Sequence, residues 1–165
     1  MIDTSIFLEK FLQAYRFKMV RPYLIGDVLD FGGNEGELKK MVKGSYLLVN
    51  QDHSAMENVH FNTIVGLAVL EHISVEEDYE IFRKFKLILN NKGRIFITTP
   101  TKTAKPVLEF LAFIGAIGKK NIEEHKHYWD KKEIIDLATE TGFVLKEYKK
   151  FQFGFNQLAV FEHAP

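Results

Sequence analysis

The residues best suited to chemistry sit in one short run, Asp30-Phe31-Gly32-Gly33-Asn34-Glu35-Gly36, with a second acid at Asp52 and histidines at 72, 125 and 127. The apolar Val28-Leu29 before this run, and the glycines within it, read as a buried strand that turns sharply into a helix. Such a turn aims free backbone N–H groups and the positive end of the helix at a ligand, which suits a nucleotide-like cofactor. Spacing excludes two other nucleotide loops. Counting from Gly32, the third place holds Asn34 and the sixth Glu37, where a dinucleotide loop needs glycines, and no Gly-Lys-Ser or Gly-Lys-Thr follows. Asp30 precedes the turn and Asp52 follows the next apolar run, Tyr46 to Val49. Both carboxylates are therefore expected at the carboxyl edge of adjacent strands, where open α/β sheets bind ligands. There they suit an ammonium and a ribose diol; otherwise Asp30 caps the turn and Asp52 merely opens a loop.

His72 closes Val69-Leu70-Glu71-His72, just after a third strand. A neutral imidazole there could take a proton from a substrate hydroxyl, the alternative being a polar helix-entry residue near Ser74. His125 and His127 flank Lys126, and strand-like alternation puts both rings on one side of an extended segment. Two histidines alone make a poor metal site, so no metal is expected. His127 is the second candidate base after His72, against a plain surface loop pinned by Trp129.

Positioning these groups requires strands and helices in alternation. Apolar residues three or four apart from Ser5 to Tyr23 (Phe7, Phe11, Tyr15, Met19) predict a helix that Pro22 helps stop, so residues 1–24 are a helical lead-in to a single domain spanning 1–165. Glu37 to Val42 reads as a short helix ended by Gly44. Tyr46 to Val49 and Asn62 to Leu67 read as strands. Ile81, Phe82, Phe85, Ile88 and Leu89 form a helical stripe before the strand Arg94 to Thr98. Helices are expected over Thr103 to Gly118 and Lys131 to Thr141. Phe143 to Lys150 and Phe155 to Glu162 leave no room for a helix between them, so they should pair antiparallel, with Phe151, Phe153 and Phe155 alternating into the core. The sum is a doubly wound, mostly parallel α/β sheet with a C-terminal antiparallel pair.

Asp30-Phe31-Gly32-Gly33-Asn34-Glu35-Gly36, the acid after the second strand, the Leu70-Glu71-His72 sequence and the final strand pair together resemble the class I S-adenosylmethionine-dependent methyltransferases. The resemblance covers nearly the whole chain. It implies a Rossmann-like methyltransferase fold with S-adenosylmethionine (SAM) as cofactor, held by Asp30 near its amino group, Asp52 on its ribose, and Gly32, Gly33, Asn34, Gly36 and Leu70. A weaker resemblance, from Ile97-Thr98-Thr99-Pro100 through Glu124 to Trp129 and on to Gln157, is to members associated with polysaccharide biosynthesis. A small molecule or sugar is the expected acceptor.

Two departures from that family matter. Asn34 replaces the middle glycine, a substitution eased by asparagine's tolerance of the left-handed conformation. Only nine residues separate Asp52 from Asn62, where the family fits a helix and an edge strand. An extended link of that length reaches ~30 Å, enough to return along the sheet and cross one strand. The fold should therefore survive without that edge strand, although adenine binding loses a wall. A non-catalytic binding or assembly module is the alternative function.

Composition narrows the partners. Lys plus Arg and Asp plus Glu each number 22, so zero net charge gives no reason to expect nucleic acid. Cysteine is absent, excluding thiolate metal sites. The opening residues do not read as a signal peptide, which makes the cytoplasm the expected location, and no apolar run reaches the ~20 residues of a membrane span. The apolar stretch 107–117 exceeds what one sheet-facing stripe needs and is a candidate homodimer surface.

Overall fold

Alternation of side chains along each strand divides the sheet into two apolar faces. Leu29, Phe31, Ile64, Ile95, Ile97, Ala159 and Phe161 belong to one buried cluster, whereas Val28, Val65, Phe96, Leu158 and Val160, each one position out of step, belong to the other. The computed structural model describes residues 4–113 and 124–165. Its strands are β1 (Val28–Phe31), β2 (Tyr46–Val49), β3 (Phe61–Leu67), β4 (Leu89–Pro100), β5 (Phe143–Phe151) and β6 (Asn156–His163). They form one sheet in the order β2-β1-β3-β4-β6-β5. Strands β2, β1, β3 and β4 are parallel; β6 runs antiparallel to both β4 and β5. This is the doubly wound sheet with a terminal antiparallel pair that the sequence predicts. Its order reverses between β1 and β3, which opens a crevice at their carboxyl ends.

The helices are α1 (Thr4–Val20), α2 (Val75–Ile88), α3 (Lys105–Phe113) and α4 (Lys131–Glu140). Helix α2 starts at a reciprocal capping box between Ser74 and Glu77 and buries Ile81, Phe82, Phe85 and Ile88 along one stripe. Phe82 meets Phe143 and Phe161 edge to face, locking α2 onto the antiparallel end of the sheet. Helix α4 repeats the device with Asp130 and Glu133 and buries Ile134, Leu137 and Ala138 on the same side. The opposite face receives Val20 from α1 and Leu38 from a 3-10 turn, Glu37–Met41, where a short helix was expected.

The shortened link behaves differently from the extended strap expected. Asp52 caps a 3-10 turn, His53–Met56, and Met56 is buried in the same core cluster as Phe31. From Glu57 the backbone extends (ψ 135°) and Asn58 turns it through the left-handed region before β3. Strand β2 consequently forms the sheet's edge, its first three residues half-buried.

Two aromatic expectations fail. Phe151 is buried, but Gln152–Gly154 forms a 3-10 turn with Phe153 at φ 59°, leaving that ring fully exposed; Phe155 turns to the cavity described below. The strand period breaks at that turn, so alternation cannot carry through it. In α3, Ala112 is buried while Phe110 and Phe113 are 60% and 84% exposed. The rest of the predicted Thr103 to Gly118 helix, and with it part of the 107–117 dimer surface, lies outside the described residues. No described helix is long and apolar enough to cross a membrane.

Candidate active site

Strand β1 ends in a turn that only small residues can make. Gly32 has φ 73°, and a Cβ on it would lie 2.5 Å from Val69 Cγ2; a Cβ on Gly33 would run into the Asp30 carboxylate. Asn34 adopts the left-handed conformation (φ 51°) that its side chain was expected to tolerate. Its carbonyl accepts a hydrogen bond from Asn50 Nδ2 at 3.0 Å, which ties the turn to the end of β2.

Asp30 lies behind this turn, 2% exposed, and accepts a hydrogen bond from the Tyr46 hydroxyl at 2.5 Å. Burial raises its carboxyl above the ordinary range, and the Tyr46 bond partly offsets that. At the end of β3, Ala68 takes the left-handed conformation (φ 57°), an uncommon one for alanine, while its N–H donates to Thr98 O at 2.8 Å. The chain then enters a 3-10 turn, Leu70–His72. Leu70 drops into the core, whereas Glu71 and His72 turn toward the crevice.

Above these strand ends lies a cavity of about 1000 Å³, at the upper end of the range for small-molecule sites. Asp30, Gly32, Gly33 and Asn34 line one end, and Glu71, His72 and His125 the other. Gln13, Arg16 and Phe17 of α1 also line it, as do Pro100 at the end of β4 and Leu108 of α3. A shallower depression shares Gly32, Asn34 and Gln51 and adds Asn50.

Segment 124–130 reaches this site through its backbone. Lys126 N–H donates to Glu71 O at 2.7 Å and His127 N–H reaches the same oxygen at 3.4 Å, while Trp129 is buried in the core and its carbonyl accepts from Gln157 Nε2. Strapped at both points, the segment lays His125 edge-on against His72, with ring centroids 4.7 Å apart. His125 Nδ1 meets the Tyr128 hydroxyl at 2.9 Å. Burial lowers the His72 pKa and takes that of His125 down to about 4, which disfavours the charged form of both rings. Burial also pushes the Glu71 carboxyl up to about 7, against its own backbone N–H and the positive charge of Arg16.

Of the residues predicted for this site, Asp30, Gly32, Gly33, Asn34 and His72 come together around the cavity. Four do not. Gly36 packs against Tyr46 and Leu48 at the entry of the 3-10 turn, and Leu70 belongs to the core. Asp52 is spent on its own chain: its exposed carboxylate accepts from Ser54 N–H at 2.9 Å, and Asn50 and Gln51 face the depression instead. His127 points away from the cavity, 3.3 Å from Glu133 Oε2 and edge-on to Trp129. The two histidines of the segment thus face opposite environments, because the strap is not a regular strand. Arg16 and Asn50 were missed, and His125, weighed only together with His127, was not expected beside His72. No local signal links His125 to His72, which lies 53 positions earlier.

The arrangement of the whole chain has clear counterparts among solved structures. CalO1, described as a methyltransferase in calicheamicin biosynthesis in its SAH-bound form, superposes with a TM-score of 0.68 at 15% identity, covering 94% of this chain and 55% of that one. The SAH-bound magnesium protoporphyrin IX methyltransferase ChlM from Synechocystis PCC 6803 gives 0.62 at 14% identity, covering 92% and 84%. An O-methyltransferase family protein from Burkholderia thailandensis gives 0.69 at 12% identity, covering 93% and 56%. The chain has the class I methyltransferase fold. It spans about half the length of CalO1 and of the Burkholderia protein. No protein-family profile and no curated protein matches its sequence. None of the three structures carries a polysaccharide name, so that narrower resemblance gains nothing from the methyltransferase fold.

Proposed function

We propose that the chain is a SAM-dependent methyltransferase acting on a small molecule. The observation that carries this reading is the single cavity that joins the glycine turn at one end to the Glu71–His72–His125 corner at the other, at the switch point of a methyltransferase fold. The cofactor lies across Gly32 to Asn34, where backbone groups can approach it closely, with its ribose toward Asn50 and Gln51. SAM carries the chemistry: its sulfonium already activates the methyl carbon, so the protein mainly has to align an acceptor in line with it. The acceptor enters from the His72–His125 side, where Glu71 and the two imidazoles give the cavity the polar groups that loss of its proton requires.

Calorimetry with SAM and with its demethylated product tests the cofactor half directly. Micromolar binding is expected, together with a raised thermal midpoint. No heat and no thermal shift at millimolar ligand would leave a binding module of methyltransferase fold as the better account.

A further inference from the structure

Glu71, His72 and His125 are brought together from a strand end and a distant strap, and each offers a ligand atom within 4.8 Å of the other two. One of these atoms stands out. Glu71 is 2% exposed, and its Oε2 is buried without a hydrogen-bond partner although Arg16 supplies positive charge to the same corner. A buried carboxylate oxygen left unpaired is costly and calls for a cation or donor that completes it. The surroundings deepen the need. Asp78 on α2, near enough for Glu71 to help push its carboxyl up, is fully buried as well, and both its oxygens lack partners.

We propose that Glu71, His72 and His125 form a binding site for a divalent transition-metal ion, of the zinc and cobalt class, at the acceptor end of the cavity. Two imidazoles and one carboxylate are a borderline donor set that suits zinc, cobalt, iron or manganese better than calcium, and the lack of any cysteine leaves nothing softer. With His125 Nδ1 engaged by Tyr128, its Nε2 is the nitrogen left for the ion, and the tyrosine fixes the ring as outer partners of metal-bound histidines do. Ligands held at ~2.1 Å in a tetrahedron stand ~3.4 Å apart, so the three side chains close in by at most about 1.5 Å. His72 and His125 are only half-buried and have room to do so.

Three protein ligands leave a position open to the cavity that all three residues line. This rests on the function proposed above and says how its acceptor is activated. An acceptor hydroxyl bound at the open position loses its proton to solvent as the O–H bond breaks. Its oxygen then attacks the methyl carbon of SAM while the C–S pair returns to sulfur, giving a methyl ether and a neutral thioether. The partners of His125 are thus not His127, which faces Glu133, but Glu71 and His72 from the 3-10 turn that follows β3.

The test uses the full, tag-free chain freed of metal with a chelator and titrated with Co(II), then Zn(II). One equivalent of Co(II) is expected to bind with visible d–d absorption of a low-symmetry site, and Zn(II) to displace it. His125→Ala and Glu71→Gln should each weaken binding at least ~100-fold, given that even outer partners cost 10–100-fold, while His127→Ala binds as the parent does. Absence of one-to-one uptake, or His125→Ala binding like the parent while retaining its thermal midpoint, overturns the site. If Glu71→Gln fails to fold, the His125 and His127 pair decides alone. Calorimetry of the metal-free chain with SAM reads the cofactor half separately. Metal uptake without SAM binding upholds this site and sinks the methyltransferase reading, and SAM binding without metal uptake does the reverse.

Discussion

The two ends of the cavity are built by different means. The glycine turn is local: Asp30, Gly32, Gly33 and Asn34 lie within five residues, and the backbone conformations they adopt are those their side chains permit. The Glu71–His72–His125 corner is assembled, since its third member arrives on a strap held by hydrogen bonds to Glu71 O and by the buried Trp129. A local site tolerates loss of distant packing and fails by single-atom crowding. An assembled one fails when any support is removed.

The largest effect should come from the assembled end. His125→Ala or His72→Ala is expected to lower methyl-transfer turnover by ~10²- to 10⁴-fold, the range for losing proton handling at the reacting group, while SAM affinity by calorimetry stays within about twofold. Equal losses in SAM affinity would erase the division between the two ends. The reverse pattern is expected at the turn. Gly33→Ala drives a Cβ into the Asp30 carboxylate, so SAM affinity should fall about 100-fold, or ~2.7 kcal/mol, with Co(II) uptake at the far end unchanged.

Asp78, which interacts electrostatically with Glu71, affects the assembled end through stability. Burial and the nearby charges of Glu71 and Glu77 push its carboxyl up to about 8. The folded chain therefore holds this proton more tightly than the unfolded one, so stability is greatest at low pH and is lost as pH rises through the interval up to about 8. Asp78→Asn stays neutral throughout. Its thermal midpoint should exceed the parent's, in line with the ~1–3 kcal/mol cost of an unsatisfied buried group, and the gap should widen from about pH 5 to about pH 8. A gap that is constant or narrows with pH would show that Asp78 finds a partner in solution.

How much was legible in the sequence follows the same division. Strand and helix periods gave the sheet, its direction changes and the buried stripe of α2, because burial on one or both faces leaves a pattern in neighbouring residues. Periodicity misled wherever the chain left regular structure. It put His125 and His127 on one side of a strand that does not form, and Phe153 in a core it never enters. Leu70 was assigned to the cofactor by its place in a motif, yet the 3-10 turn rotates it into the core and presents its two successors. Contacts between residues 72 and 125 depend on where two loops meet, and no window of sequence contains them.

Asp52 shows how finely a correct strand boundary can still misplace a side chain. Strand β2 stops at Val49, so the residues facing the depression are Asn50 and Gln51, whereas Asp52 has already turned to cap His53–Met56. The ribose partner is thus expected to be an amide in place of a carboxylate, with Asn50 also holding the Asn34 carbonyl. Asn50→Ala removes both roles and should weaken SAM about tenfold, near the ~1.4 kcal/mol of one good hydrogen bond. Asp52→Ala should cost the fold a cap and leave SAM affinity within about twofold. If calorimetry ranks the two variants the other way, the link after β2 rearranges when cofactor binds, and the missing edge strand has been replaced by a segment that moves rather than by one that is merely short.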